Sequence, residues 1–193
     1  QELINLLKIT ANLFVTSMRL QKLIDETEQA IEMEDPNPSD LRHLRAELTA
    51  SIGDLGDEQQ QFVEALAAAV DSKSHAREHS RKVAELARQI CEHLELNEKT
   101  TDLIYYAGLL HNIGQISLSE EIFSSKEKPS QEMWNKLQNH PNVGVNLLMK
   151  INFLSEVIPY VHYHKERWDG KGFPEGLSGM SIPLGARIIA VSD

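Results

Sequence analysis

HAREHSRKVAELARQICEHLELNEKTTDLIYYAGLLHNIG, residues 75–114, decides the fold. Its apolar residues recur every three or four positions, which predicts Val83, Leu86, Ile90 and Leu94 on one core-facing stripe of a helix. Asn97 stands where its side-chain oxygen can cap a second helix, EKTTDLIYYAGLLHNIG. No period-two alternation competes, here or elsewhere in the chain. The expected fold class is all-α: a multi-helix bundle preceded by a long N-terminal helix, with no parallel sheet.

Outward toward the C-terminus the pattern stays helical. Beyond a loop with Ser124, Ser125 and Pro129, Ser130 is placed to cap QEMWNKLQNH, and Pro141 is expected to restart a helix, PNVGVNLLMKI. LSEVIPYVHYHKERW (154–168) reads as another helix, and DGKGFPEGLSG (169–179) as a glycine-rich loop. Pro183 sits where a first turn accepts it, opening LGARIIAVSD.

Outward toward the N-terminus, residues 1–33 read as one helix. Leu3, Leu6, Leu13, Leu20, Ile24 and Ile31 fall on heptad-like positions, with Thr10, Ser17 and Thr27 in the gaps. Such a stripe serves either a helix packed on its own domain or a dimeric connector from an upstream sensor or receiver domain. EDPNPSD (34–40) breaks the helix. Ser39 or Asp40 is expected to cap the next one, Gly53 and Gly56 to end it, and residues 57–70 to form a further helix before a polar joint, DSKS. The division expected is 1–34, a connector helix; 35–72, a helical linker region packing on the next domain; and 73–193, the main domain.

The net charge is −10, and most of the acidity lies in the first 70 residues. No basic stripe compensates, so duplex nucleic acid is not an expected partner. No apolar run reaches the roughly 18 residues of a membrane span, and no signal-peptide pattern opens the chain. The one cysteine, Cys91, excludes an intrachain disulfide and suits a reducing, cytoplasmic setting; mid-helix, it reads as a buried structural thiol. Without a starting Met, the chain reads as a piece of something longer.

Eight histidines are present. His75 and His79 are four apart, as on one helix face. His111 ends an apolar helix, His140 stands at a helix junction, and His162 and His164 close another helix. Asp193 follows the apolar run RIIAV. His43 and His93 have no motif around them and read as surface residues. Polar ligands at the inner ends of apolar helices are what a buried metal site requires, because the apolar flank excludes water while imidazole and carboxylate donate.

These segments resemble a known family. AGLLHNIGQISLSEEIF is similar to the HD-GYP segment L-L-H-D-I-G-K-I. HYHKERWDGKGFPEGLSGMSIPLGARIIAVSD resembles that family's H-H-E-x-x-D-G-x-G-Y-P followed by I-P-x-x-A-R-I-x-x-x-x-D. HSRKVAELA resembles its H-S-x-x-V-A helix, and NHPNVGVNLL its H-P-x-x-G helix. Order and spacing agree over residues 71–193. The resemblance implies an HD-superfamily helical fold with two or three metal ions, often iron or manganese, hydrolysing cyclic di-GMP. It places His79, His111, His140, His164 and Asp193 at family ligand positions. It sets His75 where some members carry a glutamate ligand. Asp169, Gly170 and Gly172 match the loop signature, which together with Phe173 and Pro174 is expected to bind the nucleotide. Family members also continue well beyond the position of Asp193.

The chain departs from the family at the chemistry. Asn112 stands for the metal-bridging aspartate, and only a neutral amide oxygen remains to coordinate. Lys165 stands for the second histidine of H-H-E, and its ammonium opposes a nearby cation while standing in electrostatically for one missing ion. Gln115 stands for a lysine that meets phosphate. Phe173 keeps the tyrosine ring and loses its hydroxyl. The function expected is a degenerate HD-GYP-like signalling module without efficient phosphodiesterase activity. Its expected metal content is none or one transition metal, Fe or Mn, per chain. Cyclic di-GMP or a related nucleotide is the expected small-molecule partner, and a homodimer the expected assembly. The alternatives are an active cyclic di-GMP phosphodiesterase with an altered metal site, and a purely structural unit.

Overall fold

The structure is a computed structural model that describes residues 2–31, 38–76, 78–124 and 129–193. Among these residues it is all-α. The helices are α1 (Glu2–Ile31), α2 (Pro38–Lys73), α3 (His79–His93), α4 (Glu98–Leu110), the single turn α5 (Glu121–Ser124), α6 (Gln131–Leu148), the short α7 (Ile158–His162) and α8 (Leu184–Ser192). Short 3-10 segments lie at Ile113–Ser117, Asn152–Val157 and Gly179–Ser181. The glycine-rich loop holds an isolated bridge between Asp169 and Ser178. Two compact units are present, Gln1–Ala65 and Leu66–Asp193, and their boundary falls inside α2.

In the first unit, α1 matches the expected long helix, and most of the break at 34–40 lies outside the described residues; the capping expected of Ser39 or Asp40 is corrected, because α2 opens at Pro38 and both residues stand inside its first turn. Thr16 Oγ1 donates to Glu58 Oε1 at 2.9 Å, tying α1 to α2. The expected helix end at Gly53 and Gly56 is corrected, because α2 runs unbroken through both. Each glycine costs a helix interior only about 1 kcal/mol, and no neighbour stands within 4 Å of where its Cβ would be.

In the second unit, Asn97 caps α4 by accepting from Thr100 N, and Ser130 caps α6 by accepting from Met133 N, both as expected. The core-facing stripe of α3 differs from the one predicted. Ser80, Val83, Ala84, Ala87 and Cys91 face inward, while Leu86 and Leu94 are exposed. The reason is close packing on α4: a Cβ added to Gly108 would stand 2.7 Å from the Ala84 Cα, so only small residues fit that interface. Cys91 is buried, as expected, and burial pushes its thiol pKa up, which keeps it inert.

Two further expectations are corrected. Pro141 does not restart a helix but sits inside α6. Residues 154–168 do not form one helix: a 3-10 segment leads into α7, which ends at His162, leaving His164 in the turn beyond. No helix among the described residues is long and apolar enough to cross a membrane.

Candidate metal centre

Three histidines are placed by one device. His111 caps the C-terminus of α4, where the last carbonyls lack helical donors. Its Nδ1–H donates to Gly108 O at 2.6 Å. His164, just past α7, donates Nδ1–H to Val161 O at 2.7 Å. His140 lies within α6, where carbonyls are normally taken by the amide four residues on. For Leu137 that residue is Pro141, which has no N–H, and His140 Nδ1 donates to the freed Leu137 O at 2.6 Å. A carbonyl oxygen can only accept, so each Nδ1 carries the proton and each Nε2 presents a lone pair. All three Nε2 atoms are buried without a hydrogen-bond partner. Their rings are close: the His111–His164 and His140–His164 centroids are each 5.3 Å apart.

Burial sets the charge state of His140 and His164. The His140 imidazole is pulled down to about 4, first by desolvation and against the bond to Leu137 O. The fully buried His164 is likewise held well below its ordinary value, first by desolvation and then by His111 and Lys165. Neutral imidazoles with free Nε2 lone pairs are the state in which histidine ligates metal.

On the outer side, His79 Nε2 lies 3.0 Å from Asp193 Oδ1, and His111 Nε2 lies 3.4 Å from the same oxygen. The ligand atoms of His79, His111 and Asp193 all lie within 4.8 Å of one another. With Nδ1 held by Gly108 O, Nε2 is the His111 atom turned to this carboxylate, so a cation between them would be shared by both. The ammonium of Lys165 bonds the other oxygen of Asp193. Asp193 is positioned by α8, whose Ile189 O receives its amide at 2.9 Å.

His79 opens α3 after an N-cap, Glu78, with left-handed φ of 60° and no side-chain capping bond. The cap comes instead from α2: the buried Asp71 accepts from Ser80 N at 2.9 Å and Ser80 Oγ at 2.6 Å. Lys73, two residues on, donates to Ile116 O in the turn after His111. The end of α2 thus grips both segments that carry the outer histidines. That turn also packs tightly on α6, since a Cβ on Gly114 would fall 1.8 Å from His140 O.

The other candidates fall into three groups. Asn112 Oδ1 accepts from Gln115 Nε2 at 2.6 Å, making a neutral amide pair. His75 does not share a helix face with His79, which corrects that expectation: it precedes α3 with φ of 57° and is exposed, beside Ser72, Ala76, His79 and Lys82 in a shallow groove. His162 is bound to Asn142 Oδ1 at 2.8 Å, outside the cluster. In the loop, Asp169 accepts from Arg167 Nε and Nη2 at 3.0 and 2.8 Å and from Lys171 N at 3.1 Å. Arg167 foremost holds its carboxyl well below the usual carboxylate range. Gly170 has φ of +73°, and Gly172 passes so near residue 166 that a Cβ would meet the Glu166 Cα at 2.4 Å. Phe173 precedes Pro174, and its ring lies 6.5 Å from that of His140, edge to face. His43 and His93 are exposed, as expected.

Sequence reasoning missed Asp71, Pro141 and Glu166 as working residues. Glu166 is buried, and its Oε1 accepts from the amides of Glu175 and Gly176 at 2.7 and 3.0 Å, which fixes the glycine-rich loop. Its place in H-K-E and the proline directly after His140 were the available signals. Asp71 left none, being one carboxylate in a polar joint.

Histidines gathered at helix ends and at the proline of α6, within an all-helical core and beside a glycine-rich loop, form a candidate metal centre. A family model described as HD domain matches residues 62–193. The chain is 36% identical over 129 residues to "3'3'-cGAMP-specific phosphodiesterase 1" of Vibrio cholerae, covering 66% of this chain and 30% of that protein. It is 29% identical over 153 residues to "Cyclic di-GMP phosphodiesterase response regulator RpfG" of Xanthomonas campestris, covering 78% and 40%. Among solved structures, the fold matches "Bd1817, a HDG"Y"P protein from Bdellovibrio bacteriovorus", with a TM-score of 0.55 and 20% identity over 70% of this chain and 50% of that one. The chain belongs to the HD domain family, as a member of its HD-GYP group of phosphohydrolases, a metal-dependent superfamily. It spans well under half the length of these two curated relatives.

Proposed function

We propose that this chain is a degenerate HD-GYP signalling module that binds at most one transition metal, lacks efficient phosphodiesterase activity, and still recognises cyclic di-GMP or a related nucleotide. As a homodimer it would relay a signal from an upstream sensor or receiver module. The residues that fit a metal are His79, His111 and Asp193 on the outer side, and His140 and His164 within. The fit rests on the orphaned Nε2 lone pairs and the mixed imidazole and carboxylate donors. When bound, such an ion supplies Lewis-acid stabilisation to a phosphoryl oxygen. The chain's own residues set the tautomers, shield the inner imidazoles from water and hold the loop.

The observation that carries the degenerate reading is Lys165 on Asp193. A fixed ammonium already neutralises the carboxylate that a pair of dications would need, so a second ion gains little there. The Asn112 amide supports it, since its one coordinating oxygen already accepts from Gln115. The second reading, a working enzyme with an altered site, draws on His79, His111 and Asp193, whose ligand atoms lie within 4.8 Å of one another and would serve a mononuclear centre.

Elemental analysis of anaerobically purified protein tests both. Fewer than one tightly bound metal per chain is expected, and two or more would overturn the degenerate reading. Asn112→Asp with Lys165→His should raise the metal count, while each single change does little, because the two positions act as one unit. Cyclic di-GMP turnover by the unmutated chain, abolished in His111→Ala, would establish the second reading instead.

A further inference from the structure

Helix α1 has two apolar faces, and its own unit covers one. Leu6, Ile9, Leu13, Thr16 and Leu20 are half-buried and Leu23 is buried. At about 100° per residue these occupy one arc roughly 100° wide. Ile4, Leu7, Ala11, Phe14, Val15 and Met18 occupy an arc of about the same width on the opposite side. All six are exposed, Ile4 at 52% and Phe14 at 66%. No charged residue from 4 to 18 falls within this second arc, and Lys8 lies at its edge.

A helix on the surface of a globular unit turns a polar face to water. This one turns a heptad seam: Ile4, Leu7, Ala11, Phe14 and Met18 alternate spacings of three and four, the pattern by which helices pack on helices. At ~200 Å² for a large side chain, the exposed portion comes to about 600 Å², a size at which patches on soluble proteins mark interaction sites. Two such faces together remove about 1,200 Å² from water, the lower bound of a stable protein interface.

We propose that this outer face is the seam on which a second copy of the chain docks, α1 against α1. The occupant follows from the pattern. The seam is straight, uncharged and helical in period, so the surface that matches it in length, spacing and polarity is the same stripe on another copy. The inference rests on the homodimeric reading above only in taking the molecule to pair, and it is independent of the metal chemistry.

Sedimentation of the full chain at micromolar concentration is the test. The wild type should sediment at twice the monomer mass. Leu7→Glu with Phe14→Glu changes two exposed positions, so helical circular dichroism and metal content should hold while the dimer is lost. Ala11→Cys, midway along the stripe, should form a disulfide-linked dimer on oxidation, whichever way the helices run, and Cys91 is buried. A monomeric wild type overturns the seam and the pairing together. A folded double variant that stays dimeric overturns the seam alone. So does a dimeric Ala11→Cys chain that does not cross-link, and this arm decides the matter if the double variant unfolds.

Discussion

At the scale of single residues, the site is built by pinning protons. His111, His140 and His164 each give the Nδ1 proton to the carbonyl three residues back, so each Nε2 is left as a donor to a cation. The same burial makes the imidazoles of His140 and His164 hard to charge. His140 is pulled down from 6.5 to about 4, so between those values the unfolded chain binds a proton that the folded chain does not. Stability of metal-free protein is therefore full above about pH 7 and falls as pH drops from about 6.5 toward 4. From pH 7 to pH 5 the expected loss from His140 is on the order of 2 kcal/mol, and His164 adds to it. Urea midpoints of chelator-treated protein at the two pH values measure it, and equal midpoints would contradict the neutral, buried imidazoles described.

At the scale of elements, helix ends and helix defects supply the carbonyls that the histidines need. Pro141 carries the sharpest consequence. In Pro141→Ala a new amide competes for Leu137 O, which loosens the hold on His140 Nδ1 and frees its tautomer. Helix α6 should gain stability, because an interior proline costs a helix up to about 3 kcal/mol. Metal affinity should fall roughly 10–100-fold, the usual effect of losing a partner behind a metal-binding histidine. Melting temperature and metal titration read the two effects, which should move in opposite directions. A joint loss of both would mean that Pro141 serves only packing.

At the scale of the whole molecule, helix α1 is the element whose partner matters most. Within unit 1, Leu44, Leu48, Ser51 and Leu55 form the protected stripe of α2, and α1 is the other helix described there. Removing residues 1–34 uncovers that stripe. The shortened chain is expected to bind a hydrophobic dye and to self-associate without fixed stoichiometry, as exposed apolar patches of this kind do. A dye-silent, soluble, shortened chain would show that α2 does not depend on α1 for cover. The exposed-face variants thus separate pairing from folding, which truncation does not.

Much was legible in order along the chain. The helical period, the caps at Asn97 and Ser130 and the glycine-rich loop were readable because each is set by residues a few positions apart. So were the histidine-bearing segments and the departures at Asn112, Gln115 and Lys165. The misreadings have one physical source, contact between distant segments. Gly108 against Ala84 makes small residues the inner face of α3, where hydrophobicity alone favours Leu86 and Leu94. On α1 the inner stripe keeps Leu6, Leu13, Leu20 and Ile24 but takes Ile9, Thr16 and Leu23 with them in place of Thr10 and Ser17, a rotation that only packing on α2 can choose. The sequence by itself determined an all-helical chain with metal-type side chains at helix ends. Only the tertiary structure decided that His79 and His111 meet Asp193, that Lys165 grips it, and that Asp71 caps the helix of His79. Those are distances between residues far apart in sequence, and a local pattern carries no record of them.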